Sequence, residues 1–184
     1  MKKNIKILLL GVLAIVVVLG AFKLYGTLVS KNDPLSGVES GDKIAAPDFK
    51  VYDKDGNVAK LSDFQGEPVI LNFSTSWCPN CKEESPALQA AYDAIGDKVN
   101  FLMIDLIGAR GETIADGMAY IKENGYTYPA YYDTDQEAAV AYGVSSFPCT
   151  FFIDRDGSVL FRNLGPIKES TILSYSKTFY DIEI

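Results

Sequence analysis

Residues 68–97 read PVILNFSTSWCPNCKEESPALQAAYDAIGD. The stretch opens on an unbroken apolar run, Val69 to Phe73 apart from Asn72, as expected of a strand buried on both faces. After a short polar turn the period changes. From residue 78 onward, Leu88, Ala91, Tyr92 and Ile95 recur on one side of a helix. Two of the chain's three cysteines, Cys78 and Cys81, stand at the join, directly after Trp77. The order strand, tryptophan, Cys-Pro-Asn-Cys, helix governs the rest of the reading.

A sulfur placed where a helix begins faces unpaired backbone N–H groups and the positive end of the helix dipole, which favours the thiolate. Cys81 follows almost one turn later, close enough for a strained but feasible disulfide. The outer sulfur, Cys78, can attack a partner's disulfide, and the inner one, Cys81, can resolve the mixed disulfide. That cycle needs no histidine, and the chain of 184 residues has none. Ser-His-Asp triads, Cys-His pairs and His-ligated metals are therefore excluded. Two blander readings remain. Zinc wants four ligands, and the pair plus Cys149 supplies three. Alternatively, the thiols are inert.

Outward from the join, strand and helix patterns alternate. VYDKDGNVAKL (51–61) has the form of a hairpin turning at Asp55-Gly56-Asn57. VNFLMIDL (99–106) is a second buried strand. Thr113 and Asp116 form a capping box for a helix that ends near Asn124-Gly125. A short strand reaches Tyr132, a short helix spans 136–144, and TFFID (150–154) and VLFRNL (159–164) make a hairpin about Arg155-Asp156-Gly157. A last helix covers 168–180. This succession predicts an α/β fold with a central mixed sheet flanked by helices, carrying an N-terminal β-hairpin extension.

Residues 1–30 differ in composition. Lys2, Lys3 and Lys6 precede sixteen uncharged, mostly aliphatic residues, Ile7 to Phe22, and no acid occurs before Asp33. The segment is read as a signal-anchor or transmembrane segment, with a cleaved signal as the alternative. Either reading puts the remainder outside the cytoplasm, so the chain is assigned to the cell membrane by a single N-terminal pass, or to the secreted fraction after cleavage. Segment 31–43 is polar and contains Gly, Ser and Pro, a linker, and 44–184 is the folded domain. The overall charge is −7, and four of the seventeen basic residues lie in the first thirty. The rest is strongly acidic, which argues against nucleic acid as a partner.

The domain resembles the thioredoxin superfamily, and within it the membrane-tethered thiol-disulfide oxidoreductases of the TlpA/ResA type. The resemblance spans roughly 41–180. Its pieces are Ala46-Pro47-Asp48-Phe49, Leu61-Ser62-Asp63-Phe64-Gln65-Gly66, Val69 to Phe73 leading to Trp77-Cys78-Pro79-Asn80-Cys81, Tyr142-Gly143-Val144, and Phe147-Pro148-Cys149-Thr150 through Asp154. It implies a thioredoxin-like fold in which Pro148 is a cis-proline facing the cysteine pair. It also implies a helix kinked at Pro86. Trp77, Pro79, Asn80, Phe147 and Pro148 are then expected to receive the partner protein, whose backbone could pair beside Phe147. Glu84 matches an acid near the pair. Helical geometry turns it about 60° from Cys81, with Glu83 about 160° away and facing water. Glu84 is accordingly a candidate proton exchanger for Cys81.

Three features depart from the family pattern. Asn72 stands where many thioredoxins have a buried Asp, and an amide takes no proton. Pro79-Asn80 carries no charge and gives no direction of electron flow. Cys149 replaces the usual Thr and is read as a small buried thiol. The resemblance implies no cofactor beyond a redox-active Cys78–Cys81 disulfide. It also implies disulfide-containing or dithiol protein substrates, a membrane thiol-electron donor, and duties such as cytochrome c maturation. Reduction is the preferred direction and disulfide formation the alternative. A thiol peroxidase is a second enzyme class, since Thr75 lies three residues before Cys78. Leu71 in place of that class's proline, and Cys81 itself, weigh against it. A tethered binding module using the Phe147–Pro148 groove is the non-enzymatic alternative.

Overall fold

The run at 69–73 becomes the middle of a sheet because, Asn72 apart, it presents apolar side chains on both faces. In the computed structural model, residues 43–184 are described without a break, together with residues 11, 13–21, 35 and 38. The chain divides into two units, Met1–Ser36 and Gly37–Ile184, and the sheet and helices below all belong to the second. Among the described residues no helix is long and apolar enough to cross a membrane. The anchor expected over 1–30 and the linker over 31–43 lie largely outside the described residues.

The strands are β1 (Ile44–Ala45), β2 (Lys50–Tyr52), β3 (Val58–Lys60), β4 (Val69–Ser74), β5 (Asn100–Asp105), β6 (Ala130–Tyr132), β7 (Cys149–Ile153) and β8 (Ser158–Leu164). The helices are α1 (Pro79–Ile95), α2 (Ile114–Asn124), α3 (Glu137–Ala141) and α4 (Glu169–Tyr180). The sheet order is β1-β8-β7-β4-β5-β6-β2-β3. β4 pairs parallel with β5, and β5 with β6, while β7 runs antiparallel to β4 and β8 to β7. The sheet is therefore mixed, as the alternation of patterns predicts.

Successive residues of β4 serve opposite layers. Ile70 joins Leu88, Ala91, Ile95, Phe101, Met103, Phe152, Ile172 and Tyr180 in one apolar cluster. This cluster lies beneath α1 and α4, which pack together. Phe73 turns to the other side, where its ring meets Tyr142 and Phe151, and Tyr142 meets Phe49. Every residue of β7 is buried, so Phe151 and Phe152 alternate between the same two layers. The Tyr180 hydroxyl donates to Val69 O at 2.9 Å, tying the end of α4 to the central strand.

The hairpin expected at 51–61 is β2–β3, paired from Lys50↔Lys60 to Tyr52↔Val58. Its turn is longer than the three residues expected. The Asp53 carboxylate accepts from Asp55 N and Asn57 N, each at 2.8 Å, and from Asn57 Nδ2 at 2.9 Å, an Asx-turn arrangement. Gly56 supplies the positive φ of 83°. The sequence reading places no strand at 44–45. Two residues are too few to show a period, and β1 exists because β8 offers an edge to pair with.

Candidate functional site

Parallel β4 and β5 end on the same side of the sheet, and antiparallel β7 begins there. The register pairs Phe73 with Cys149. The segment before β7 is thus carried to the segment after β4, which is how residues 147–148 reach 77–81. The site lies beyond the carboxyl ends of β4 and β5, where ligands of open α/β sheets collect.

Cys78 is the N-cap of α1, with extended backbone (φ −76°, ψ 120°) and Pro79 in the first turn. Proline fits there because its missing N–H would lack an intrahelical partner anyway. The Cys78 sulfur accepts from Cys81 N at 3.4 Å, so it takes up one of the helix's unpaired donors. On its other side the Cys78 thiol lies 3.9 Å from Phe147 O, to which it donates. Cys78 and Cys81 are present as thiols. The expected contrast between an open outer sulfur and a closed inner one is small, since the residues are 6% and 2% exposed. Burial, the neighbouring Cys78 and the Glu84 charge push the Cys81 thiol well above its ordinary value.

The rim is aromatic. The Phe147–Pro148 peptide bond is cis, and Phe147 meets the Trp77 ring edge-on at 6.4 Å between centroids. Pro79 and Asn80 are exposed, Trp77 and Phe147 half-buried, and Pro148 buried. The turn after β5 holds Trp77 from behind. Trp77 Nε1 donates to Ala109 O at 2.9 Å, the Arg110 guanidinium lies 4.7 Å from the ring centroid, and Ser76 N donates to Glu112 Oε1 at 3.0 Å. Ala109, Arg110 and Glu112 escape a reading of the sequence, because a 3₁₀ turn of three residues has no periodic signal.

Beneath the cysteines, Glu84 is 1% exposed and Glu83 is exposed, the split that the helical angles predict. Glu84 Oε2 accepts from Asn72 Nδ2 at 2.9 Å, and Oε1 accepts from Ile167 N at 3.0 Å. Asn72 Nδ2 also donates to Thr150 Oγ1 at 2.9 Å. Burial pushes the Glu84 carboxyl up to about 7, against the lowering effect of Asn72, Ile167 N and Thr150. Asn72 therefore does not merely lack the proton that an Asp would carry. It also supports a buried acid, since its amide donates to Glu84.

A second buried acid, Asp105, ends β5 with 8% exposure. Burial first, then the charge of Glu112 and a hydrogen bond with its side chain, then the charge of Asp116, push its carboxyl up to about 8. Gly117 of α2 leaves room for it, since a Cβ there would stand 2.0 Å from Asp105 Oδ2. In sequence, Asp105 reads only as the polar end of an apolar strand.

Residues 43–162 match the model of the AhpC/TSA family. A Bacillus cereus protein named thiol-disulfide oxidoreductase ResA is 32% identical over 180 residues, covering 96% of this chain and 98% of its own. A Bacillus subtilis protein of the same name is 30% identical over 166 residues, covering 90% of this chain and 88% of its own. Among solved structures, the pneumococcal exposed lipoprotein thioredoxin of Streptococcus pneumoniae is similar at a TM-score of 0.64 and 28% identity, covering 74% of this chain and all of its own.

Proposed function

The chain belongs to the AhpC/TSA family and is a thiol-disulfide oxidoreductase of the ResA kind, and we propose that it acts outside the cytoplasm through Cys78 and Cys81. The observation that carries this is the Cys78 sulfur at the start of α1, held by Cys81 N on one side and beside Phe147 O on the other. A thiolate formed there attacks one sulfur of a partner's disulfide and releases the other as a thiolate. Cys81 then gives up its proton and attacks Cys78. The partner leaves reduced, and the Cys78–Cys81 disulfide remains. Glu84 sits beneath the pair and tunes the Cys81 thiol, which its charge raises. Trp77, Pro79, Asn80, Phe147 and Pro148 form the surface that receives the partner.

The N-terminal segment, in this proposal, tethers the domain to the membrane, where a thiol-electron donor re-reduces the pair. The lysines before the apolar run support this placement, as does the likeness to a pneumococcal thioredoxin described as an exposed lipoprotein. Reduction of partners, as in cytochrome c maturation, is the preferred duty. No cofactor other than the redox-active disulfide takes part. The test is trapping. With Cys81→Ser, Cys78 becomes covalently joined to its natural partners in the cell envelope, and their identity gives the duty. Recovery of no mixed disulfide, with the variant folded and reduced, contradicts the proposal.

A further inference from the structure

Behind the loop that carries the cysteines is a cavity of about 30 Å³, bounded by residues that include Asn72, Thr75, Ser85, Asp105, Gly117 and Tyr120. One ordered water needs roughly 10–15 Å³ of such space. The walls supply partners for it. Asn72 Oδ1 and Thr75 Oγ1 have no hydrogen-bond partner in the protein, and no N–H or hydroxyl group reaches either carboxylate oxygen of Asp105, beside which the Glu112 carboxyl stands. Their residues are 1%, 2% and 8% exposed. Each buried polar atom left alone costs about 1–3 kcal/mol, so four around one space call for a common partner. A polar cavity of this size fills with water, whereas an apolar one stays dry.

The cavity joins two parts of the site that the protein's own hydrogen bonds leave apart. Asn72 spans the acids, with its nitrogen on Glu84 and its oxygen among the unpartnered atoms. The Thr75 backbone lies against the Cys81 sulfur and eases its ionisation. Ser85 Oγ donates to Cys81 O at 2.8 Å, and Tyr120 OH donates to Ser85 Oγ at 3.0 Å. The groups facing Asp105 are Glu112 from the turn before α2, Asp116 from α2 and Tyr132 from β6. Both oxygens of Glu84 already accept from Asn72 and Ile167, while no N–H or hydroxyl of the protein reaches those of Asp105.

We propose that water in this cavity connects the Asp105 carboxyl to the cysteine pair through Thr75, making Asp105 a positioning residue that holds a proton for the resolving thiol. The inference rests on the exchange reading of Cys78 and Cys81. In the resolving step the Cys81 S–H bond breaks and its electron pair forms the bond to Cys78 Sγ. The bond from Cys78 to the partner breaks, and the partner sulfur departs as a thiolate. In molecules whose Asp105 is ionised, the proton moves along the water to that carboxylate, which becomes the acid. The partner disulfide has gained two electrons, and the pair has lost two. Re-reduction of the pair returns the proton.

The test is a carboxyl-carbon NMR titration of Asp105 in the full chain, with the pair held first reduced and then oxidised, the signal being assigned by its loss in Asp105→Asn. Oxidation removes both ionisable thiols of the pair, so the oxidised protein is expected to release the Asp105 proton at lower pH, by at least about threefold in proton affinity. Thr75→Val keeps shape and removes the hydroxyl. In it Asp105 still titrates, and the gap between the two curves narrows. Coincident curves in the wild type, or an unchanged gap in Thr75→Val, overturn the inference. A chain whose Cys78–Cys81 disulfide cannot be formed defeats the exchange reading itself, and this inference with it. Coincident curves in a chain that does cycle overturn only the Asp105 path.

Discussion

Glu84 and Asp105 are carboxyl groups folded into places where a charge is costly. Their ordinary values, 4.5 and 3.8, rise to about 7 and about 8. Folded protein therefore keeps protons that the unfolded chain has already lost. Stability falls as pH rises from the unfolded value of each group to its folded value, by up to about 1.4 kcal/mol per pH unit for each, and then levels. Urea midpoints are expected to drop between pH 5 and pH 8. In Asp105→Asn the drop is shallower, so the variant gains on the wild type as pH rises, and an identical slope counts against a protonated Asp105. At the same scale, Cys78→Ser is expected to abolish reduction of a model disulfide such as insulin, and undiminished turnover in that variant contradicts the assigned nucleophile. The cysteine pair, its tryptophan and the inward turn of Glu84 were legible in sequence because each follows from local spacing. Asp105 was not, since its meaning comes from Gly117 and Glu112, which the fold brings back to it from later in the chain.

α2 holds one wall of that arrangement. Its capping box is present in full. Asp116 N donates to Thr113 Oγ1 at 3.2 Å, and Thr113 N donates to Asp116 Oδ2 at 3.1 Å. Thr113→Ala is expected to cost about 1 kcal/mol in chemical denaturation. Gly117→Ala presents a sharper contest. Alanine gains up to about 1 kcal/mol of helix propensity, but its Cβ would meet Asp105 Oδ2 at 2.0 Å and Tyr132 Cε1 at 3.1 Å. The clash should win, with a net loss of about 1–3 kcal/mol, and a more stable variant refutes the packing described. Most elements could be read before the structure. The buried strands are apolar runs, α2 carries its own start and stop signals, and the last two strands flank an Asp-Gly turn. What stayed hidden are pieces too short to have a period: β1, and the 3₁₀ turn that grips Trp77.

For the whole molecule, function follows from topology. β7 is antiparallel to β4, so one crossing of the sheet places Phe147 and Pro148 against Cys78 although 69 residues separate Phe147 from Cys78. The sequence offered residue types on both sides but no distance between them, and the family resemblance, not periodicity, joined them. The proposed placement of this domain outside the cytoplasm rests on the composition of residues 1–30. It predicts that the full chain stays with membranes through an alkaline wash while protease added from outside removes the domain. Release by the wash, or full protection, contradicts the tether.

The most direct test of the account is a single quenched reaction. Fully reduced chain is mixed with excess insulin, stopped in acid, alkylated and mapped by mass spectrometry. The account predicts one Cys78–Cys81 disulfide for each insulin disulfide opened, with Cys149 alkylated. Finding Cys78 and Cys81 both alkylated after insulin has been reduced, or a disulfide that includes Cys149 in their place, would contradict it.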